Sequence, residues 1–294
     1  MGRGIAVEGN GDLVFTGTFG QFGSGVDFGG GLLTSAGGMD VFVAKFSASG
    51  DHVWSKAMGG TSDDVGSAVG VDGGGNAVVT GYFQGTANFG GGSLSSAGGE
   101  DIFLAKYSSS GAHVWSQRFG GVGADRGTAI AVAGTGDVAL TGYFNATADF
   151  GGGAFVSTGA SDIFLAKYSS AGTHAWSKAW GTNYTVGEVS HGVALDATGN
   201  IALTGSLVGP LDFGGGPLVE NGSYDIFVAK FSASGAHLWS KRFGVLYDDS
   251  GNAIVMDAGG NIIAAGYFSE GVDFGGGELL SPGYYDGFLV KFGP

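Results

Sequence analysis

The chain has 294 residues, of which 64 are Gly, 4 are Pro and none is Cys. Hydrophobic residues make up 43% and aromatics 13%, enough burial to offset the ordering entropy, so a disordered chain is excluded; collagen is excluded by the scarce Pro and the irregular Gly spacing. The formal net charge of −14 disfavours nucleic acid and anionic membrane surfaces and suits cations or a basic protein patch.

No run of ~18 apolar residues occurs, so membrane insertion is not expected. Without Cys there is neither a disulfide framework nor thiolate chemistry. The opening MGRGIAVEGNGDLVF has no apolar leader and reads directly as strand and turn.

One pattern then recurs along the chain. The string [DN]FGGG starts at Asp27, Asn88, Asp149, Asp212 and Asp273, at intervals of 61, 61, 63 and 61 residues. The string D-x-F-[LV]-[AV]-K ends at Lys45, Lys106, Lys167, Lys230 and Lys291, and H-[VAL]-W-S holds Trp54, Trp115, Trp176 and Trp239. Each repeat reads as four short strands. In the second they are a (67–72), b (77–83), c (101–107) and d (113–119), with a Gly-Gly-Gly-Asn turn between a and b, a long loop through Asn88 between b and c, and SSSGA between c and d.

Two turn-linked strand pairs per repeat are the pattern of propeller blades. The expected fold is an all-β, five-bladed β-propeller of four-stranded antiparallel blades, the last lacking its outer strand. It forms one domain with repeats at about 1–60, 61–121, 122–182, 183–245 and 246–294. Strand a is built from small residues and is placed nearest the axis; strand d, with His, Trp, Lys and Arg, is placed outside. The fifth repeat stops at Lys291-Phe292-Gly293-Pro294, which leaves two readings, a ring closed by face packing or a piece of a longer array.

The repeated units GYF...DFGGG...DIFLAKYSSSGAHVWSQRFGG resemble the bacterial β-propeller repeat family called SBBP over nearly the whole chain. The resemblance implies a propeller, secretion or a bacterial cell surface, and no defined reaction.

Residues present in every repeat are assigned to the blade. The strand-c lysines are expected to be partly buried and to need carboxylates, with Asp40, Asp101, Asp162, Asp225 and Asp286 as the one-to-one candidates. His52, His113, His174 and His237 are read as packing or hydrogen-bonding groups, and the Asp-x-x-Gly-Asn turns at Asp72, Asp196 and Asp257 as caps for backbone N–H groups.

Function is sought in the loops of one rim, formed by the d-to-a and b-to-c connections. The third d-to-a loop, with the insertion behind the 63-residue interval, carries Trp180, Asn183, Tyr184, Glu188 and His191. The fourth carries Tyr247, Asp248 and Asp249. These eight are the candidate ligand-binding residues, since rings stack on apolar faces while polar groups fix orientation. Tyr224, Tyr284 and Tyr285 join the rim from b-to-c loops. Asp63, Asp64, Asp248 and Asp249 are the candidate metal ligands.

The reading that follows is a non-enzymatic binding or scaffold propeller, monomeric, recognising glycan or a surface protein, with no cofactor. The alternatives are a calcium-stabilised structural propeller and an enzyme using a Glu188–His191 pair.

Overall fold

The computed structural model describes residues 1–20, 23–219 and 222–294, and among them there is no α-helix. Short runs of alternating or fully apolar residues, cut by Gly-Asn and Ser-x-x-Gly turns, set the strand lengths. Repeat one gives β1 (Gly2–Val7), β2 (Leu13–Phe19), β3 (Val26–Asp27), β4 (Leu32–Leu33), β5 (Asp40–Phe46) and β6 (His52–Gly60). Repeat two gives β7 (Asp64–Val71), β8 (Ala77–Asn88), β9 (Ser93–Tyr107) and β10 (His113–Gly121). Repeat three gives β11 (Arg126–Val132), β12 (Val138–Phe144), β13 (Thr147–Asp149), β14 (Ala154–Val156), β15 (Asp162–Tyr168) and β16 (His174–Trp180). Repeat four gives β17 (Val189–Leu195), β18 (Ile201–Leu207), β19 (Asp225–Phe231) and β20 (His237–Phe243). Repeat five gives β21 (Ser250–Met256), β22 (Ile262–Phe268), β23 (Gly271–Asp273), β24 (Glu278–Leu280) and β25 (Asp286–Phe292).

The strand orders β1-β2-β5-β6, β11-β12-β15-β16 and β17-β18-β19-β20 match the expected a, b, c, d succession; in repeat two β7 pairs with β8, which continues to β9 and β10. The fifth sheet has three strands, β21-β22-β25. Strands b and c of repeat two run further than expected, β8 on to Asn88 and β9 starting at Ser93. There, Gly59 and Gly60 at the end of β6 pair with Asn88 and Ala87, and Gly120 and Gly121 of β10 pair with Asp149 and Ala148 of β13. The end of one repeat is thereby stitched to the [DN]FGGG hairpin of the next.

The described residues form two compact bodies. The first comprises Met1–Leu140, Thr147–Phe155 and Lys167–Ala175. Its β7 packs on β1 and β2 and on β11, and its core includes Val14, Val41, Val43, Val79, Phe83, Phe89 and Phe103. The second comprises Thr141–Ala146, Val156–Ala166 and Trp176–Pro294. Its β21 packs on β17 and β18, around Ile226, Val228, Ile254, Phe268 and Phe288. Strands a therefore lie side by side within each body, which is why they are built from small residues: Gly70, for example, faces Val132 with no room for a side chain.

The acid of [DN]FGGG holds its own loop, Asp149 Oδ1 accepting from the N–H groups of Gly151 (2.7 Å) and Gly153 (3.1 Å). Those two glycines have φ of 104° and 112°, a region L-residues avoid. The histidine at the start of strand d lies against the loop, and a Cβ on the middle glycine would collide with the ring of His52, His113, His174 or His237. The ring nitrogen is paired with the hydroxyl three residues on, as for His113 and Ser116 (3.1 Å). Trp54 and Trp115 donate to the carbonyls of Ser109 (3.0 Å) and Ser170 (3.2 Å), in the c-to-d turn of the following repeat.

The pairing expected for the lysines is corrected. Lys45 meets Glu8 (2.7 Å) and Asp12 (3.4 Å), Lys106 meets Asp72 (2.9 Å) and Lys291 meets Asp257 (2.8 Å), all in the a-to-b turn of the same repeat. Lys230 donates to the carbonyl of Gly260 (3.2 Å). The reason is register: Lys45 lies beside Val14, near that turn, while Asp40 lies beside Phe19 at the opposite end of the pair. Five residues of strand, about 17 Å, separate the two. The turn acids also cap the turn, as expected, Asp72 Oδ1 accepting from the N–H groups of Gly74 and Asn76.

Candidate functional site

Each d-to-a connection meets the b-to-c connection of the repeat before it, the N–H groups of Asp64, Asp125, Glu188 and Asp249 donating to the carbonyls of Met39, Glu100, Ser161 and Tyr224. Met39 N–H in turn donates to Asp63 Oδ1 (2.8 Å). Each d-to-a loop ends on an acid, Asp64, Asp125, Glu188 or Asp249, and all four are buried. Each lies near the acid that opens strand c of the preceding repeat. Asp40 and Asp64 crowd Gly59, where a Cβ would collide with Asp40 Oδ1 and stand 2.6 Å from Asp64 Oδ2. Asp101 and Asp125 crowd Gly120 in the same way.

These pairs fix the loops. Asp64 accepts from the N–H groups of Gly60 (2.6 Å) and Gln84 (3.3 Å), and Asp249 from those of Val245 (3.2 Å) and Ser269 (2.7 Å). Glu188 accepts from the Thr182 hydroxyl. Burial pushes Asp64 up to about 7, against the hydrogen bonds from Gly60 and Gln84 and with the help of the neighbouring Asp40 charge. Glu188 is pushed to about 7 and Asp249 to about 6, again chiefly by burial. Two facing carboxylates in a dry site hold a proton that isolated ones would release.

The predicted site residues separate into packing groups and surface groups. Trp180 is a packing residue, stacked on Phe231 (5.1 Å between centroids) and edge-on to Phe213 (5.2 Å). Asn183 and Tyr184 are exposed, the Tyr184 ring lying over Gly209. Glu188 is buried and accepts from the Thr182 hydroxyl, whereas His191 is exposed on β17. Asp248 Oδ1 accepts from the Ser223 hydroxyl (2.5 Å). Asp63 is exposed and Asp64 buried. Among the described residues no group of three or more His, Asp or Glu side chains is arranged to hold a metal ion.

Sequence reading left one grouping unassembled. Tyr247, from the fourth d-to-a loop, and Tyr284 and Tyr285, from the last b-to-c loop, line one cleft of about 330 Å³ with Ser269 and Glu270. Tyr284 is 92% exposed and Tyr247 57%. Glu270 has φ of 56°, where the matching residues of repeats two and four are Gly85 and Gly209. A side chain kept in that region costs free energy, and Ala146 of repeat three does the same at the matching position (φ 55°).

No protein-family model matches the chain. It is similar to an uncharacterised WD repeat-containing protein of Acanthamoeba polyphaga mimivirus, 24% identical over 292 aligned residues that cover 79% of this chain and 21% of the relative. The chain thus spans about one fifth of that relative's length.

Proposed function

We propose that the chain is a non-enzymatic β-propeller scaffold that binds another protein through the tyrosine-lined rim of its second body. The observation that carries this is the cleft between Tyr247, Tyr284 and Tyr285, three largely exposed rings from two connections beside the strained Glu270. Tyrosine suits such a surface because it gives large contact area at low conformational cost and keeps a polar tip. The propeller part of the reading is supported by the succession of antiparallel sheets whose first strands pack together within each body and by the likeness to a WD repeat protein, a repeat class built as radial blades. Five blades, the last with three strands, is its fuller form.

The test is affinity capture on the whole chain and on a Tyr284→Ser/Tyr285→Ser variant, with partners identified by mass spectrometry. Loss of the wild-type partners on the variant is expected. Full retention would remove the cleft from the interface. A glycan ligand would use the same cleft, and saturable binding of one oligosaccharide from a panel, lost in the variant, would replace the protein partner by a sugar.

A further inference from the structure

In repeats two and four the residue three places after the strand-d tryptophan is an arginine. Arg118 reaches the buried carboxylate of Asp101 (2.6 Å) and Arg242 that of Asp225 (2.9 Å). Repeat one has the same frame, since Ala57 pairs with Phe42 just as Arg118 pairs with Phe103. Asp40 takes the place of Asp101 and is 2% exposed. The residue in the arginine's place is Ala57.

What the truncated side chain leaves is a cavity of about 310 Å³ whose lining includes Ala57, Asp40, Met58, Ala36 and Asn88. Asp40 Oδ2 accepts from the Ala36 N–H (2.5 Å), as Asp101 Oδ2 accepts from the Ala97 N–H (2.8 Å), but Asp101 Oδ2 also receives Arg118. Oδ1 is buried without a hydrogen-bond partner in Asp40, Asp101 and Asp225 alike. Repeat three also lacks the arginine, having Ala179, but there Asp162 receives the Ser157 and Thr158 hydroxyls and the Thr158 N–H. In repeat one Ala36 stands where Thr158 does, and Ser35 donates to the Gly38 carbonyl (2.7 Å). The acid is in place, and Ala57 stands where two sister repeats supply the cation.

We propose that the cleft at Asp40 and Ala57 is a guanidinium slot that takes an arginine side chain from a protein partner. Arginine fits because its planar fork donates charge-assisted hydrogen bonds to a buried carboxylate and is weakly hydrated enough to leave water. Lysine, a compact and strongly hydrated charge, fits less well. The net charge of −14 draws such a partner. The source of the arginine rests on the scaffold reading; the slot itself rests on the geometry of the repeats.

The test titrates the whole chain with a blocked Gly-Arg-Gly peptide and its citrulline and lysine counterparts, at about 0.15 M salt to screen surface charge. Saturable binding of the arginine peptide is expected, at least about tenfold tighter than either counterpart. Ala57→Arg fills the slot from within, as Arg118 does in repeat two, and is expected to raise the unfolding temperature and abolish binding. Asp40→Asn keeps the shape and is expected to abolish binding as well. Equal binding of the lysine peptide, or binding that survives Ala57→Arg, overturns the slot. So does stabilisation by Ca²⁺, lost in Asp40→Asn, with the arginine peptide silent. Partners captured by the wild type and retained by Ala57→Arg overturn the slot as an interface and leave the scaffold reading standing. Arginine-peptide binding with no captured partner upholds the slot and counts against the scaffold.

Discussion

The ring of His237 occupies the space that a Cβ on Gly215 would need. It is held there by the Ser240 hydroxyl (3.0 Å) and by an edge contact with Phe231 (6.0 Å between centroids). Gly276 is the matching glycine of repeat five, whose sheet has no fourth strand, and nothing lies within 4 Å of a Cβ built on it. Gly215→Ala is expected to cost about 1–3 kcal/mol by overpacking. Gly276→Ala is expected to stay within about 0.5 kcal/mol of wild type, as exposed substitutions do. Urea unfolding midpoints at unchanged m decide it; equal losses at the two glycines would refute the role given to the histidine.

The lysines of strand c divide in the same way. Lys106 and Asp72 form an ion pair with side chains 6% and 7% exposed, while the Lys291–Asp257 pair is 57% and 31% exposed. Removing one partner of a buried pair strands the other charge, so Lys106→Met is expected to cost about 3–5 kcal/mol. Lys291→Met removes an exposed pair and is expected to cost about 1 kcal/mol or less. Thermal and urea unfolding of the two variants side by side is the check.

The repeat length, the strands and the a, b, c, d order were legible because each is a local signal repeated in register. The packing role of His113 was legible for the same reason, since a residue present in each complete repeat serves the repeat. The lysine partners were not. Lys45 and Asp40 share a strand and look paired in one dimension, and only the antiparallel register shows that Lys45 lies beside the turn holding Glu8 and Asp12. The burial of the loop acids was not legible for a related reason. Asp64 and Asp249 stand in variable loops and read as surface ligands, but each turns inward to hold loop N–H groups. The vacancy at Ala57 was within reach: Ala57, Arg118, Ala179 and Arg242 align three residues after each tryptophan, yet without Asp101 beside Arg118 the alternation has no meaning.

The buried acids set the pH dependence of stability. Burial raises Asp64 and Glu188 to about 7 and Asp249 to about 6, above the values of about 3.9–4.3 that carboxyls have in an unfolded chain. Between those limits the folded state holds the extra protons, so stability falls as pH rises from about 4 through about 7. For Asp72 and Asp196 burial raises the pKa, but hydrogen bonds from Asn76 with Lys106, and from Thr198 with Asn200, outweigh it and lower it overall. Those groups withdraw stability as pH falls below about 4. The unfolding temperature is expected to peak near pH 4–5 and decline toward pH 8. Asp64→Asn removes one titrating group and is expected to make that decline shallower; an unchanged slope would separate Asp64 from the effect.

Glu270 carries the last prediction. Ala146 and Glu270 adopt φ of 55° and 56° at a position where repeats two and four use glycine. Each pays about 1–2 kcal/mol for the left-handed region, so Ala146→Gly and Glu270→Gly are both expected to stabilise by about 1 kcal/mol, part of the gain being lost to the greater entropy of glycine in the unfolded chain. Only Glu270 lines the tyrosine cleft. If that strain positions the carboxylate for a partner, Glu270→Gly weakens capture through the rim while Ala146→Gly leaves it unchanged. Equal stabilisation with equal capture by both variants would make Glu270 a tolerated turn residue and leave the interface to the tyrosines. A gain in stability coupled to a loss of capture at Glu270 alone is the result the geometry predicts, because only there does a strained residue sit where three exposed rings converge.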